Sequence, residues 1–273
     1  MMQGAAPRPR LSFGAEIAPG ERVLPQEVAV ALTFNGSTQA VMMATPDHLA
    51  DFAYGFALTE GLARPEEIES LDVVETARGL DVQVWVTATA EARLAARRRT
   101  MAGPVGCGLC GIDSLEQAMR DVPAVPHGAF RLSPAQVMAG VAALPGQQAL
   151  HDATRAAHCA AFWDGTRMLA AREDVGRHNA LDKLAGAMIS GRTVPVVQPA
   201  AGAVILTSRV SIDLVQKVAA LGAPAIIAVS SPTADAVDLA ETAGLTLIAQ
   251  ARPDRFEVYS HSDRIISEAQ NVR

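Results

Sequence analysis

Cysteine is scarce in this sequence. Three residues in 273 is an odd count and far too few to staple a chain of this size, so a disulfide scaffold is excluded. Long apolar runs are missing as well. The best stretch, 218–229, is interrupted by Gly222 and Pro224 and falls short of the roughly 18 residues of a spanning helix. The N-terminus, MMQGAAPRPRLSFGAE, has two arginines but no apolar h-region, which argues against a signal peptide and predicts a flexible leader over residues 1–20. Positive charge is not in surplus either: the formal net charge is -6, and a net-acidic field attracts neither nucleic acid nor an anionic membrane. A cytoplasmic protein with no nucleic-acid or membrane partner is expected. Internal repeats and low-complexity tracts are also absent.

What is present is patterned apolar sequence. At 49% hydrophobic over 273 residues the chain can bury one large or two modest cores. Val28, Val30, Leu32 and Phe34 alternate up to Asn35-Gly36, and apolar residues resume beyond it, a hairpin signal. Thr45-Pro46 predicts the N-cap and first turn of a helix through DHLADFAYGFALTEG, stopped at Gly61. Leu71–Thr76 and LDVQVWVT form a second predicted strand pair. Ser133 with Gln136 opens a helix ending near Leu144, and HCAAFWDGTRMLAAR predicts another hairpin turning at Asp164-Gly165. From Val175 onward apolar strands alternate with helices, which implies βαβ units and a mostly parallel, doubly covered sheet. The predicted fold is α/β: an N-terminal antiparallel β/α portion over 21–126, then an α/β portion over 127–273.

The sharpest chemical feature is Cys107-x-x-Cys110 in MAGPVGCGLCGIDSL. Arg97, Arg98 and Arg99 precede it, and Ser114 with Gln117 predicts a capping box and a helix just beyond it. Positive charge and a helix N-terminus both favour the thiolate, the reactive form of cysteine. Gly103, Gly106, Gly108 and Gly111 predict a mobile loop that exposes it. Spacing alone leaves three readings open: half of a zinc site, thiol chemistry, or coincidence. A zinc site needs two more ligands, and the remaining cysteine, Cys159, sits in an apolar strand pattern expected to bury it as a core residue. A deaminase zinc site needs a Glu at +2 from a His or Cys ligand, and none of the six histidines or three cysteines has one.

Three further polar stretches stand at predicted strand ends. AAREDVGRHNALDKL packs charges of both signs around Gly176, including Arg177, His178, Asn179 and Lys183. Strand-to-helix boundaries collect ligands in α/β sheets; the alternative is a solvated first turn with intrahelical ion pairs. LTSRVSIDLVQK puts Thr207, Ser208, Arg209 and Ser211 at a strand's carboxyl end, where hydroxyls, an arginine and free helix N–H groups suit a phosphate or simply cap a helix. ARPDRFEVYSH flanks Pro253-Asp254 with Arg252 and Arg255, residues able to hold a phosphate or a guanine edge, or merely to solvate a turn.

Taken in order, CGLCG, REDVGRHNALDKL, TSRVSIDLVQK, VSSPT and RPDRFEVYSH resemble the FdhD family, sulfurtransferases that act as accessory proteins of formate dehydrogenase. The resemblance runs from about Leu32 through Ile265. It implies a cytidine-deaminase-like α/β fold with a mixed sheet covered by helices, a homodimer, and a sulfur carrier. Sulfur from a cysteine desulfurase would be taken up as a persulfide on the cysteine matching Cys107, with Cys110 assisting. It would then pass to a bis(molybdopterin guanine dinucleotide) molybdenum cofactor bound as substrate, without zinc. The resemblance places a nucleotide-cofactor segment at Gln250, Ala251, Arg252, Pro253, Asp254 and Arg255; here Gln250 replaces the family's aromatic and Pro253 its glycine. Cys159 stands where the family more often has alanine. The rival functions are a zinc-dependent nucleoside deaminase, a dithiol oxidoreductase and a cofactor-binding chaperone without sulfur transfer.

Overall fold

Two alternating patterns, one before residue 100 and one after residue 130, build the two larger sheets. The structure, a computed structural model, describes residues 4–14, 16–100, 122–125, 128 and 130–266, with backbone alone over 97–100. Cys107, Cys110 and the predicted Ser114 helix start lie outside the described residues.

The chain opens with β1 (Ala5–Phe13) and β2 (Ile17–Pro25), an antiparallel ribbon, where the sequence predicts a flexible leader. Prolines at 7, 9, 19 and 25 hide the strand signal, because they are depleted in strands; they fit here because a two-stranded ribbon has two free edges. The Asn35-Gly36 hairpin then forms as expected between β3 (Val28–Phe34) and β4 (Ser37–Ala44). With β5 (Ile68–Thr76) and β6 (Gly79–Val86) these strands make a sheet in the order β4-β3-β6-β5, in which β3 and β6 run parallel. Val30, Leu32, Phe34, Val82 and Val84 alternate onto one face and are covered by α1 (Leu49–Thr59), whose Phe52 and Phe56 pack edge to face. Each fully buried side chain of this kind stabilises by roughly 1.5–3 kcal/mol. Helix α2 (Ala88–Thr100) follows.

The second sheet has six strands in the order β12-β11-β10-β9-β7-β8. Strands β9 (Ala203–Leu206), β10 (Ala225–Ala228) and β11 (Thr246–Arg252) are parallel. β7 (His158–Trp163), β8 (Met168–Asp174) and β12 (Arg255–Ser260) are antiparallel additions. Period-two alternation splits their side chains between two cores. Ala160, Phe162, Val204, Leu206 and Ile226 face α5 (Arg177–Ser190), α6 (Ile212–Leu221) and α7 (Ala234–Ala243). Ala161, Trp163, Ile205 and Ile227 face α3 (Pro134–Ala143), which begins with the predicted Ser133/Gln136 capping box. The short α4 (Ala149–Thr154) connects α3 to β7. The architecture is mixed α/β, with both faces of the larger sheet covered.

Candidate functional site

Helices α1 and α5 join the two sheets, and they touch through glycine. A Cβ on Gly55 would stand 1.7 Å from the Asp182 carbonyl oxygen, and one on Gly186 would stand 1.8 Å from that of Asp51. Helices this close leave no room for ordinary side chains, so the polar residues of the seam are desolvated and must find partners within it. Asp51, Gly55 and Thr59 share one stripe of α1; Asp182 and Gly186 share one of α5.

Three carboxylates in this seam are fully paired. Asp174, with no exposure, accepts from Lys183 Nζ at 2.6 Å, Gly176 N–H at 2.7 Å, and Thr45 N–H and Asn179 Nδ2 at 3.0 Å each. Lys183 also donates to the Thr45 carbonyl at 2.8 Å and lies 5.9 Å from the Phe52 ring centroid. Asp51 accepts from Arg172, at 2.9 Å from Nε and 2.7 Å from Nη2. Asp182 accepts from the Thr59 hydroxyl at 2.6 Å and from Lys217 Nζ at 2.9 Å, while Lys217 also reaches Glu60 at 2.7 Å. Burial pushes the Lys183 pKa down, only partly offset by Asp174. Burial opposes the charge on Lys217 too, but Asp182 and Glu60 outweigh it and raise its pKa.

A different environment exists at one edge of the six-stranded sheet. Strand directions alone bring together there the carboxyl ends of β8, β9, β10 and β11 and the amino ends of β7 and β12. The loops are tied to one another: Cys159 N–H donates to Thr207 Oγ1 at 2.9 Å, Val210 N–H to the Ser231 carbonyl at 3.1 Å, and Gln250 N–H to the Ser230 carbonyl at 3.2 Å. Gln250, at φ 50, donates through its side chain to Ser231 Oγ. Arg252 donates to the Val229 carbonyl at 2.6 Å and its own strand's Ala251 carbonyl at 2.8 Å.

Two helix N-termini open onto this edge, and no side chain caps either one: Gly176 precedes α5, and the Ser211 hydroxyl before α6 makes no capping bond. By contrast, Thr233 caps α7 through the Ala236 N–H. Arg177 Nε, His178 Nε2 and Ser211 Oγ are buried without a hydrogen-bond partner. The nearest acid to His178 is Asp213, 3.8 Å away and beyond hydrogen-bond reach. Burial, with Arg177 and Lys217 nearby, lowers the His178 pKa to about 4, so its imidazole is neutral at neutral pH. Uncapped N–H groups, a helix dipole and an arginine form an arrangement that favours an anion. Cys159, at the same edge, is an inert core thiol: burial, assisted by Glu173, pushes its pKa up to about 12.

The model of the FdhD/NarQ family matches residues 25–266. The chain belongs to the FdhD/NarQ family. Relatives named sulfur carrier protein FdhD include one from Agrobacterium fabrum, 50% identical over 251 residues and covering 91% of each chain. Another, from Bordetella petrii, is 43% identical over 242 residues, covering 88% of this chain and 85% of its own. A crystal structure assigned as a formate dehydrogenase accessory protein of Desulfotalea psychrophila superposes with a TM-score of 0.73 at 23% identity, over 96% of this chain and 99% of that one. That likeness bears on the fold.

Within the family's segments the structure separates residues that the sequence groups together. Arg177, His178, Ser208, Arg209, Gln250 and Arg252 lie on the carboxyl edge, and Pro253, Asp254 and Arg255 turn from β11 into β12 beside it. Ala251 is buried in the core below Gln250. Asn179 and Lys183 do not reach that surface: Asn179 donates to the Met43 carbonyl at 2.9 Å and to Asp174, and Lys183 has no exposure. The seam's Asp51, Thr45 and Lys217 escaped prediction. Thr45 was expected to cap α1, but its N–H and carbonyl serve the Asp174–Lys183 pair, its hydroxyl accepts from the Val175 N–H, and His48 takes the cap position in the left-handed region. Lys217 carried a legible signal, since it shares the α6 face of Leu214 and Leu221, and a lysine on an apolar face needs a buried partner. Among the described residues no helix is long and apolar enough to cross a membrane.

Proposed function

We propose that this protein is a cytoplasmic, homodimeric sulfur carrier that serves formate dehydrogenase by sulfurating its molybdenum cofactor. The Cys107 thiolate attacks the terminal sulfur of a cysteine desulfurase persulfide; the desulfurase thiolate leaves and Cys107 carries the new persulfide, with no net redox change. Cys110 thiolate then attacks the Cys107 sulfur, forming the Cys107–Cys110 disulfide and releasing the outer sulfur as sulfide to the metal; a cellular dithiol restores the cysteines. The bis(molybdopterin guanine dinucleotide) cofactor is the substrate. Its phosphates take the N-termini of α5 and α6, with Arg177, His178, Ser208 and Arg209, while Gln250–Arg255 borders the guanine.

The observation that carries this reading is the group of buried polar atoms without partners at that edge, Arg177 Nε, His178 Nε2 and Ser211 Oγ. Unmet donors cost about 1–3 kcal/mol each, and a phosphate-bearing ligand would satisfy them. Cys159, with its raised pKa, does not compete with Cys107 as carrier. The test is mass spectrometry after incubation with a cysteine desulfurase and cysteine. A gain of about 32 Da on the wild type, absent from Cys107→Ala, is the expected result. An unmodified wild type, or stoichiometric zinc together with nucleoside deamination, would overturn it.

A further inference from the structure

The turn Asp174-Val175-Gly176 delivers Arg177, His178 and the start of α5 to the carboxyl edge of the larger sheet. Much of what fixes this turn comes from the other sheet. The chain leaving β4 is tied to it along Met43 to Thr45: the Met43 carbonyl accepts from Asn179 Nδ2 at 2.9 Å, and the Thr45 carbonyl accepts from Lys183 Nζ at 2.8 Å. Thr45 also donates its N–H to Asp174 at 3.0 Å and accepts from the Val175 N–H through its hydroxyl at 3.2 Å. Thr45 is 1% exposed, so water does not compete for these groups, and each of them depends on its partner in the turn.

The same contacts decide that α5 begins without a cap. A Cβ on Gly176 would stand 2.8 Å from Asn179 Nδ2 and 3.4 Å from Asp174 Oδ1. No side chain fits there to accept from the first-turn N–H groups, as Ser, Thr or Asp does at other helix starts. Asn179 occupies that space because its Nδ2 is held between Asp174 and the Met43 carbonyl. Asp174 in turn takes the Gly176 N–H at 2.7 Å. The clamp therefore fixes the turn and keeps the helix start open together. Of its ties, the Thr45 hydroxyl is the one that an isosteric side chain can cut while the Asp174–Lys183 pair stays intact.

We propose that Thr45 is a positioning residue for the ligand edge: from the first sheet, its hydroxyl fixes the Val175 peptide and so the direction in which α5 presents its first-turn N–H groups, Arg177 and His178. Thr45 acts through the turn and not on the ligand. Hydrogen bonds are directional, so a turn free to rock aims these donors poorly. The coupling is reciprocal, and a ligand seated on α5 tightens the clamp in return. The inference rests on the anion-binding reading of that edge given above, and it adds the part of the molecule that holds the edge in shape.

Calorimetric titration of the full chain with GDP, together with hydrogen exchange, tests it. Thr45→Val keeps the shape, the N–H and the carbonyl of this residue and removes the acceptor; it should bind GDP about tenfold more weakly than the wild type. Thr45→Ser keeps the hydroxyl and should retain most of the wild-type affinity. Affinity is read per folded molecule from the titration stoichiometry, so a loss of stability alone leaves it unchanged. In the wild type, GDP should slow exchange of the Thr45 N–H more than that of the β5 amides in the same sheet, a measurement that decides the matter even if Thr45→Val does not fold. Equal affinity in the wild type and Thr45→Val, a Thr45→Ser as weak as Thr45→Val, or a Thr45 N–H slowed no more than β5 overturns the positioning role alone. A wild type that does not bind GDP overturns the ligand reading of the edge and this role with it.

Discussion

The α1–α5 seam and the carboxyl edge of the larger sheet draw on one sequence motif, yet they use it oppositely. In REDVGRHNALDKL, Arg172, Asp174, Asn179, Asp182 and Lys183 point into the seam, and each finds a partner there. Arg177 and His178, in the first turn of α5, keep buried nitrogens without one. A buried polar group that is satisfied holds structure together, and one left unsatisfied calls for an explanation, which the proposed ligand would supply. The difference lies in geometry: the glycine contact brings donors and acceptors of the seam within 3 Å, while the uncapped helix starts face outward.

The comparison breaks most visibly at Lys183. Lys183→Met leaves the Asp174 carboxylate buried without its cation, and urea denaturation should show a loss of about 3–5 kcal/mol. A loss below about 1 kcal/mol would mean that the backbone N–H groups suffice for Asp174, and that the lysine is dispensable. His178 gives a smaller, pH-dependent effect. Its folded pKa of about 4 lies below its ordinary value of 6.5, so below pH 6.5 the unfolded chain takes up the proton first. The stability this group contributes is complete above pH 6.5 and falls as the pH drops toward 4, by about 1–2 kcal/mol once its partial exposure is allowed for. Imidazole carbon-bound proton shifts in NMR should titrate near pH 4 in the wild type, and a midpoint near 6.5 contradicts the burial of this ring. The smallest change in stability belongs to Arg177→Gln, within about 0.5 kcal/mol, because no internal bond of Nε is lost. The same variant should weaken GDP about tenfold in calorimetric titration; unchanged affinity would sever the edge from nucleotide binding.

Much of the fold was legible because its signals are local. The Asn35-Gly36 hairpin, the Ser133/Gln136 box and the βαβ alternation after Val175 each depend on side chains a few residues apart, and each stands where expected. The ribbon was not, since its prolines argue against strands unless both edges are free. Part of the site was legible too: the carboxyl-edge loops could be placed from strand order. Asn179 and Lys183 were grouped with Arg177 because neighbours in sequence look alike; one helical turn sends the first pair inward and leaves the other at the surface.

By itself the sequence determined the class of fold, the position of the two-cysteine segment and the family motifs, since these follow from periodicity, spacing and residue type. Tertiary structure alone decided which charges of the motif are paired inside the seam and which are left at the carboxyl edge. That choice depends on Gly55 and Gly186, 131 positions apart, letting two helices approach until Asp182, Asp51 and their cations are sealed from water. No local pattern encodes such an approach, because the partner of each buried charge lies on another element of the chain.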